Sequence, residues 1–157
     1  MATLGISTNT RLLGIAIIQQ NRLLDHAIRL RKQSWSRLKA KEIITSLEPC
    51  ARRYCIKRVV LSIQHGHHQT KASRYLLARI QALFAKQGIP IVPVPAKEIY
   101  LFCTQGEKKT KKSAFKALAE RFPVLNYCYY KELRNKNKYY TKLFEAVAVA
   151  ALYDEEK

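Results

Sequence analysis

The groups that could carry chemistry in this 157-residue chain are few and of unequal sign. Of 11 acidic residues only two are aspartates, Asp25 and Asp154. Hard divalent cations want several anionic oxygens, so metal-dependent chemistry has little to work with. Three histidines fall together in His65-Gly66-His67-His68, where imidazoles serve as bases, metal ligands or phosphate contacts. Four cysteines, Cys50, Cys55, Cys103 and Cys128, form no C-x-x-C pair. The spacing Cys50-x4-Cys55 suits zinc poorly on the helix expected there, and buried thiols are the reading it favours.

Positive charge is the larger signal. The 29 Lys and Arg give a formal net charge of +18 and a pI near 10.0. Each cation that neutralises a phosphate releases condensed counterions, so a balance of this sign points to nucleic acid. The cations fall in groups: Arg29, Arg31, Lys32, Arg37, Lys39 and Lys41; Lys71, Arg74 and Arg79; Lys108, Lys109, Lys111 and Lys112; Lys131, Arg134, Lys136 and Lys138. Tyr127, Tyr129, Tyr130, Tyr139 and Tyr140 interleave with the last group. Such tyrosines either stack on unpaired bases or pack between helices, and at this spacing at least half are expected in the core. Trp35 is expected to anchor the first helix.

The elements that must position these groups follow from hydropathy. Residues 3–8 read as a strand, Asn9-Thr10 as a turn, and residues 12–19 as a second strand whose Gly14 marks close packing. Residues 22–31 alternate, with Leu24, His26, Ile28 and Leu30 on one face. From Ser34 the period becomes 3.6, with Ala40, Ile43, Ile44, Leu47, Ala51 and Tyr54 in one stripe and a break or kink at Pro49. Residues 57–64 predict a buried strand and 73–87 a helix stopping at Gly88. A strand over 90–94, a short helix over 96–103 and a basic loop over 104–112 follow. Thr110 is placed to cap a helix running to Arg121. After a break at Pro123 and a loop at 134–138, a last helix spans 139–153 and the acidic residues 154–157 are expected to fray.

The order predicts a single α/β domain over residues 1–153, a mixed βββαβαβ sheet flanked by helices. No apolar run approaches the ~20 residues of a membrane span, and the start lacks a leader pattern. A cytoplasmic protein with no membrane partner is expected.

Several stretches resemble the RuvC-like resolvase branch of the ribonuclease H-like superfamily. Leu4-Gly5-Ile6-Ser7-Thr8-Asn9-Thr10-Arg11-Leu12-Leu13-Gly14 is similar to its first strand, turn and glycine-containing second strand. Val59-Val60-Leu61-Ser62 is like its second catalytic strand, and Ile91-Val92-Pro93-Val94-Pro95-Ala96-Lys97-Glu98 like its strand, turn and short helix. Thr104-Gln105-Gly106-Glu107-Lys108-Lys109-Thr110-Lys111-Lys112 resembles its glycine-and-basic loop. Lys142-Leu143-Phe144-Glu145-Ala146-Val147-Ala148-Val149-Ala150 resembles the last helix.

The resemblance implies a ribonuclease H-like fold, a homodimer, and cleavage of four-way DNA junctions by two metal ions. Those ions are held by an Asp on the first strand, a Glu on the fourth and two acids one turn apart near the end. Here the matching positions are Ser7, Ser62, Lys142 and Glu145, so one acid remains. A Lys142–Glu145 pair, with both serines hydrogen-bonding nearby, is expected to replace the metal centre. Neither 6–10 nor 61–68 holds another carboxylate.

The reading is a non-catalytic nucleic-acid-binding protein of RuvC-like descent without metal or cofactor, its partner DNA rather than RNA and branched DNA in particular. Arg11, Lys71, Arg74, Lys108, Lys109, Lys111, Lys112, Lys136 and Lys138 are the candidate backbone contacts. Two alternatives stand beside it. One is an active resolvase with a rearranged Mg²⁺ site built from Glu145 and the histidine loop, marked by junction cleavage. The other is a basic interaction protein for RNA or an acidic protein, marked by weak DNA binding without structural preference.

Overall fold

A computed structural model of the chain describes residues 2–30, 34–64, 70–103, 110–134 and 139–155. Strands β1 (Ala2–Thr8), β2 (Leu12–Gln19) and β3 (Arg22–Leu30) form an antiparallel meander, and β4 (Ile56–Ile63) and β5 (Ile91–Pro95) extend it in parallel, in the order β3-β2-β1-β4-β5. Parallel neighbours need crossovers. Helices α1 (Arg37–Arg53) and α2 (Lys71–Lys86) supply them and cover one face of the sheet. The other face is covered by α3 (Ala96–Cys103), α4 (Lys111–Arg121), a 3-10 turn at Pro123–Leu125, α5 (Asn126–Arg134) and α6 (Thr141–Glu155).

The inner strands read as nearly unbroken apolar runs because both faces are buried. Leu4, Ile6, Leu61 and Ile17 point to α1 and α2, whereas Ala16, Ile18 and Val60 point to α6. Two glycines let α6 lie close to the sheet. A Cβ on Gly5 would sit 2.0 Å from the Ala146 carbonyl oxygen, and one on Gly14 2.2 Å from that of Lys142. The alanines at 146, 148, 150 and 151 do the same from the helix side.

Three expectations are corrected. Helix α1 runs unbroken through Pro49, which stands one turn from its end with an exposed ring, so the missing N–H costs only a local hydrogen bond. The alternation predicted for the third strand is shifted by a bulge, since Ile17 pairs Asp25 but Ile18 pairs Leu23. Leu24 is the extra residue and turns to solvent, while Leu23 packs on the core in its place. Finally, α6 continues past Tyr153, and Asp154 is buried rather than frayed. Its Oδ2 accepts the Asn21 N–H at 2.6 Å in the β2–β3 turn, where Gln20 and Asn21 have φ of 51° and 61°. Arg58 donates to the Tyr153 carbonyl at 3.0 Å, so the end of α6 is tied to the sheet.

Among the described residues no helix is long and apolar enough to cross a membrane. Cys55 lies beyond the cap of α1 in a left-handed conformation, exposed, and is therefore not on the helix expected for it. Burial pushes the Cys103 thiol up to about 12 against the opposing charge of Arg121, and pushes Cys128 upward as well. Both are held as unreactive thiols.

Candidate nucleic-acid interface

Side chains alternate along a strand. Gly5 meets α6, so Ser7 does too; Val60 packs on that side, so Ser62 follows. The first turn of α6 delivers Lys142 and Glu145 to the same place, one turn apart. All four are buried. Lys142 Nζ donates to Glu145 Oε1 at 3.2 Å, and Ser7 Oγ donates to the same oxygen at 3.3 Å.

The second carboxylate oxygen is taken by a residue that sequence reasoning missed. Tyr100 on α3 donates its hydroxyl to Glu145 Oε2 at 3.2 Å. Burial foremost, then the carboxylate's charge and this hydrogen bond, push the Tyr100 phenol well above its ordinary value. It is a neutral donor across the physiological range. Nothing local in the sequence signals this contact, which spans 45 positions and depends on how α3 crosses α6. Ser62 departs from expectation: its buried Oγ has no hydrogen-bond partner among the described residues.

The donor set does not fit a pair of hard cations. Two ions need several carboxylates bridging them, and here one carboxylate is shared by an ammonium, a serine and a tyrosine. The Lys142 ammonium, covalently part of the chain, lies beside the carboxylate.

Around this centre the carboxyl ends of β1 and β4 meet two helix N-termini. Thr8, Asn9, Thr10, Ser62 and Gln64 line a small hollow with Thr70 and Ser73 at the start of α2. That start is fixed by a capping box, Thr70 Oγ1 accepting from the Ser73 N–H at 3.0 Å and Ser73 Oγ from the Thr70 N–H at 2.9 Å. On the other side a cavity of about 420 Å³ joins Asn9, Leu12 and Gln64 to Lys111 and Lys112 at the start of α4, which Thr110 caps as expected. Its far wall comes from α5 and the beginning of α6, including Lys142.

Arg11, Lys71, Arg74, Lys111 and Lys112 are exposed, and Lys111 and Lys112 line the larger cavity. Lys39, by contrast, is buried on α1 and leaves the basic surface. Lys108, Lys109, Lys136, Lys138 and the histidines His65, His67 and His68 lie outside the described residues. Of the tyrosines, Tyr129, Tyr139 and Tyr140 are half-buried, whereas Tyr127 and Tyr130 are exposed. Trp35 packs edge-on to Tyr75 with centroids 6.3 Å apart, anchoring the start of α1 against α2.

Comparison with known proteins places this architecture. No family model and no curated sequence matches the chain. Among solved structures, Thermus thermophilus RuvC in complex with a Holliday junction substrate superposes with a TM-score of 0.72 at 15% identity, over 96% of this chain and 90% of that one. The fold is RuvC-like. The fowlpox virus Holliday junction resolvase agrees, with a TM-score of 0.61 at 14% identity over 100% of both chains. Its complex with Holliday junction DNA gives 0.58 at 13% identity, over 99% and 98%. The RuvC-like, ribonuclease H-like fold class expected from the sequence is therefore observed, and the likeness spans nearly the whole chain.

Proposed function

We propose that the protein binds branched DNA without cutting it, on a RuvC-like scaffold whose metal centre has been replaced by an internal ion pair. The observation that carries this reading is the buried Lys142–Glu145 contact at 3.2 Å, with Ser7 and Ser62 at the two strand positions where the resemblance assigns carboxylates. An ammonium there repels Mg²⁺ and satisfies the one acid left. DNA is supported as the ligand by the net charge of +18 and by the exposed cations around the carboxyl ends of β1 and β4. The two similar solved structures that contain Holliday junctions support a branched form. A homodimer follows from the same resemblance and is checked by sedimentation.

The test measures binding to a four-way junction, duplex DNA, single-stranded DNA and structured RNA across a salt series. Cleavage is followed in the same samples with and without Mg²⁺ or Mn²⁺. Junction-selective binding without cutting is the expected result, and the slope of log affinity against log salt reports the phosphate contacts. Replacing Lys111 and Lys112 by Gln is expected to lower that slope by about 2, roughly one per phosphate contact. Metal-dependent cutting would overturn the non-catalytic reading. Equal binding to every nucleic acid would overturn the branched-DNA reading.

A further inference from the structure

The 420 Å³ cavity beside the ion pair has the two-part character of a nucleotide site. Its volume lies within the ~300–1,000 Å³ range of small-ligand sites. Phe115 forms part of the wall and is held flat against Phe144, with centroids 4.7 Å apart. Tyr129 and Leu133 come from α5. These are flat or apolar surfaces suited to the face of a base.

The cationic part is at the start of α4. Lys111 and Lys112 line the cavity, and Thr110 Oγ1 accepts the Ser113 N–H at 3.2 Å. The N–H groups of the first helical turn are those a helix leaves without an intrahelical partner, and they favour an oxyanion. The lining also includes the Glu132 carboxylate, which would repel a phosphate. Its oxygens are engaged by the Tyr139 N–H at 3.0 Å and the Thr141 hydroxyl at 2.9 Å, so it belongs to the α5–α6 join. A phosphate is thereby directed to the Lys111 and Lys112 end and a base to the Tyr129 and Leu133 end.

Resting on the DNA-binding reading, we infer that this cavity receives one extruded nucleotide of a branched strand, its base against Tyr129 and Leu133 and its phosphate at Lys111 and Lys112. A base at a branch point has lost part of its stacking, so extrusion there is cheapest. Aromatic walls accept any base because every base has a π-face.

The test uses a four-way junction carrying 5-iodouracil at the exchange-point nucleotides, irradiated with the full-length protein and mapped by mass spectrometry. A fluorophore at an arm end reports overall junction affinity by anisotropy. Cross-linking to Tyr129 is expected. Leu133→Trp, at a position 45% exposed, fills the cavity from its rim. It is expected to cut the cross-link by about tenfold when the two proteins are compared at equal fractions of bound junction, which the anisotropy reports. Cross-links elsewhere, or a Tyr129 cross-link untouched by Leu133→Trp, with junction binding intact, would overturn the inference alone. Absence of junction binding by the wild-type chain would overturn the DNA-binding reading and this inference with it.

Discussion

Lys142 and Glu145 face each other at 3.2 Å one turn apart on α6, with side chains only 6% and 3% exposed. A surface pair at this spacing contributes ~0.2–0.5 kcal/mol. Buried, the same pair is a different object, because each charge has lost its water and depends on the other. Glu145→Gln strands the Lys142 ammonium and is expected to destabilise the fold by roughly 3–5 kcal/mol. Lys142→Met with Glu145→Leu removes both charges and is expected to recover most of that loss. Urea unfolding of the single and double variants decides it, and equal stability of Glu145→Gln and wild type would refute the coupling.

The approach of α6 to the sheet depends on Gly14, where a Cβ would fall 2.2 Å from the Lys142 carbonyl oxygen. The contact is with backbone, which cannot swing aside. Gly14→Ala is expected to cost about 1–3 kcal/mol or more, and by moving the first turn of α6 it should also loosen the Lys142–Glu145 pair. Denaturant midpoints give the first effect. The second appears as non-additivity when Gly14→Ala is combined with Glu145→Gln.

The β2–β3 turn is held from a distance. Asp154 accepts the Asn21 N–H at 2.6 Å, and Arg121 donates to the Asn21 side-chain oxygen from α4. A hydrogen bond to a charged acceptor contributes about 1.5–3 kcal/mol, so Asp154→Ala is expected to destabilise by that amount. Faster amide exchange at Gln20 and Asn21 should accompany it. A variant with native stability and unchanged exchange would return residue 154 to the fraying tail expected from its sequence position.

Much of this was legible before the structure, for physical reasons that also set the limit. The order of elements along the chain is legible because strands buried on both faces are apolar throughout, and Gly14 stands out as a gap in such a run. Ser7, Ser62, Lys142 and Glu145 were brought together by a resemblance in the order of motifs. What escaped were interactions between distant segments with no pattern of their own: Tyr100 against Glu145, Asp154 against Asn21. The bulge at Leu24 escaped because a one-residue slip leaves alternation looking intact. Pro49 misled because the rule against helical proline weighs least near a helix end.

Tyr100 makes the buried centre sensitive to alkali. Its phenol is raised in the folded state by burial and by Glu145, while in the unfolded chain it titrates near the ordinary ~10. The folded state therefore holds this proton more tightly. Its contribution is fully present below about pH 10 and declines as pH rises beyond that value. Tyr100→Phe removes the titration together with the hydrogen bond. Compared between about pH 8 and 11, the wild type should lose more stability on the alkaline side than Tyr100→Phe does. Parallel losses would mean that Tyr100 does not sense the carboxylate.

The sharpest test of the proposed metal-centre replacement is to restore carboxylates at the matching positions. Ser7→Asp, Ser62→Glu and Lys142→Asp together with the native Glu145 would gather four carboxylates where the chain now has one. Without metal, their mutual repulsion should lower stability. With Mn²⁺ or Mg²⁺, ligation by the folded state alone should raise it, by about 2.7 kcal/mol when the ion is at 100 times its dissociation constant. Thermal unfolding against metal concentration is expected to show this rise in the triple variant and none in the wild type, where Glu145 is the single acid among these four positions. A wild-type midpoint that climbs with metal, and stops climbing when Glu145 becomes Gln, would show that the native site holds an ion after all.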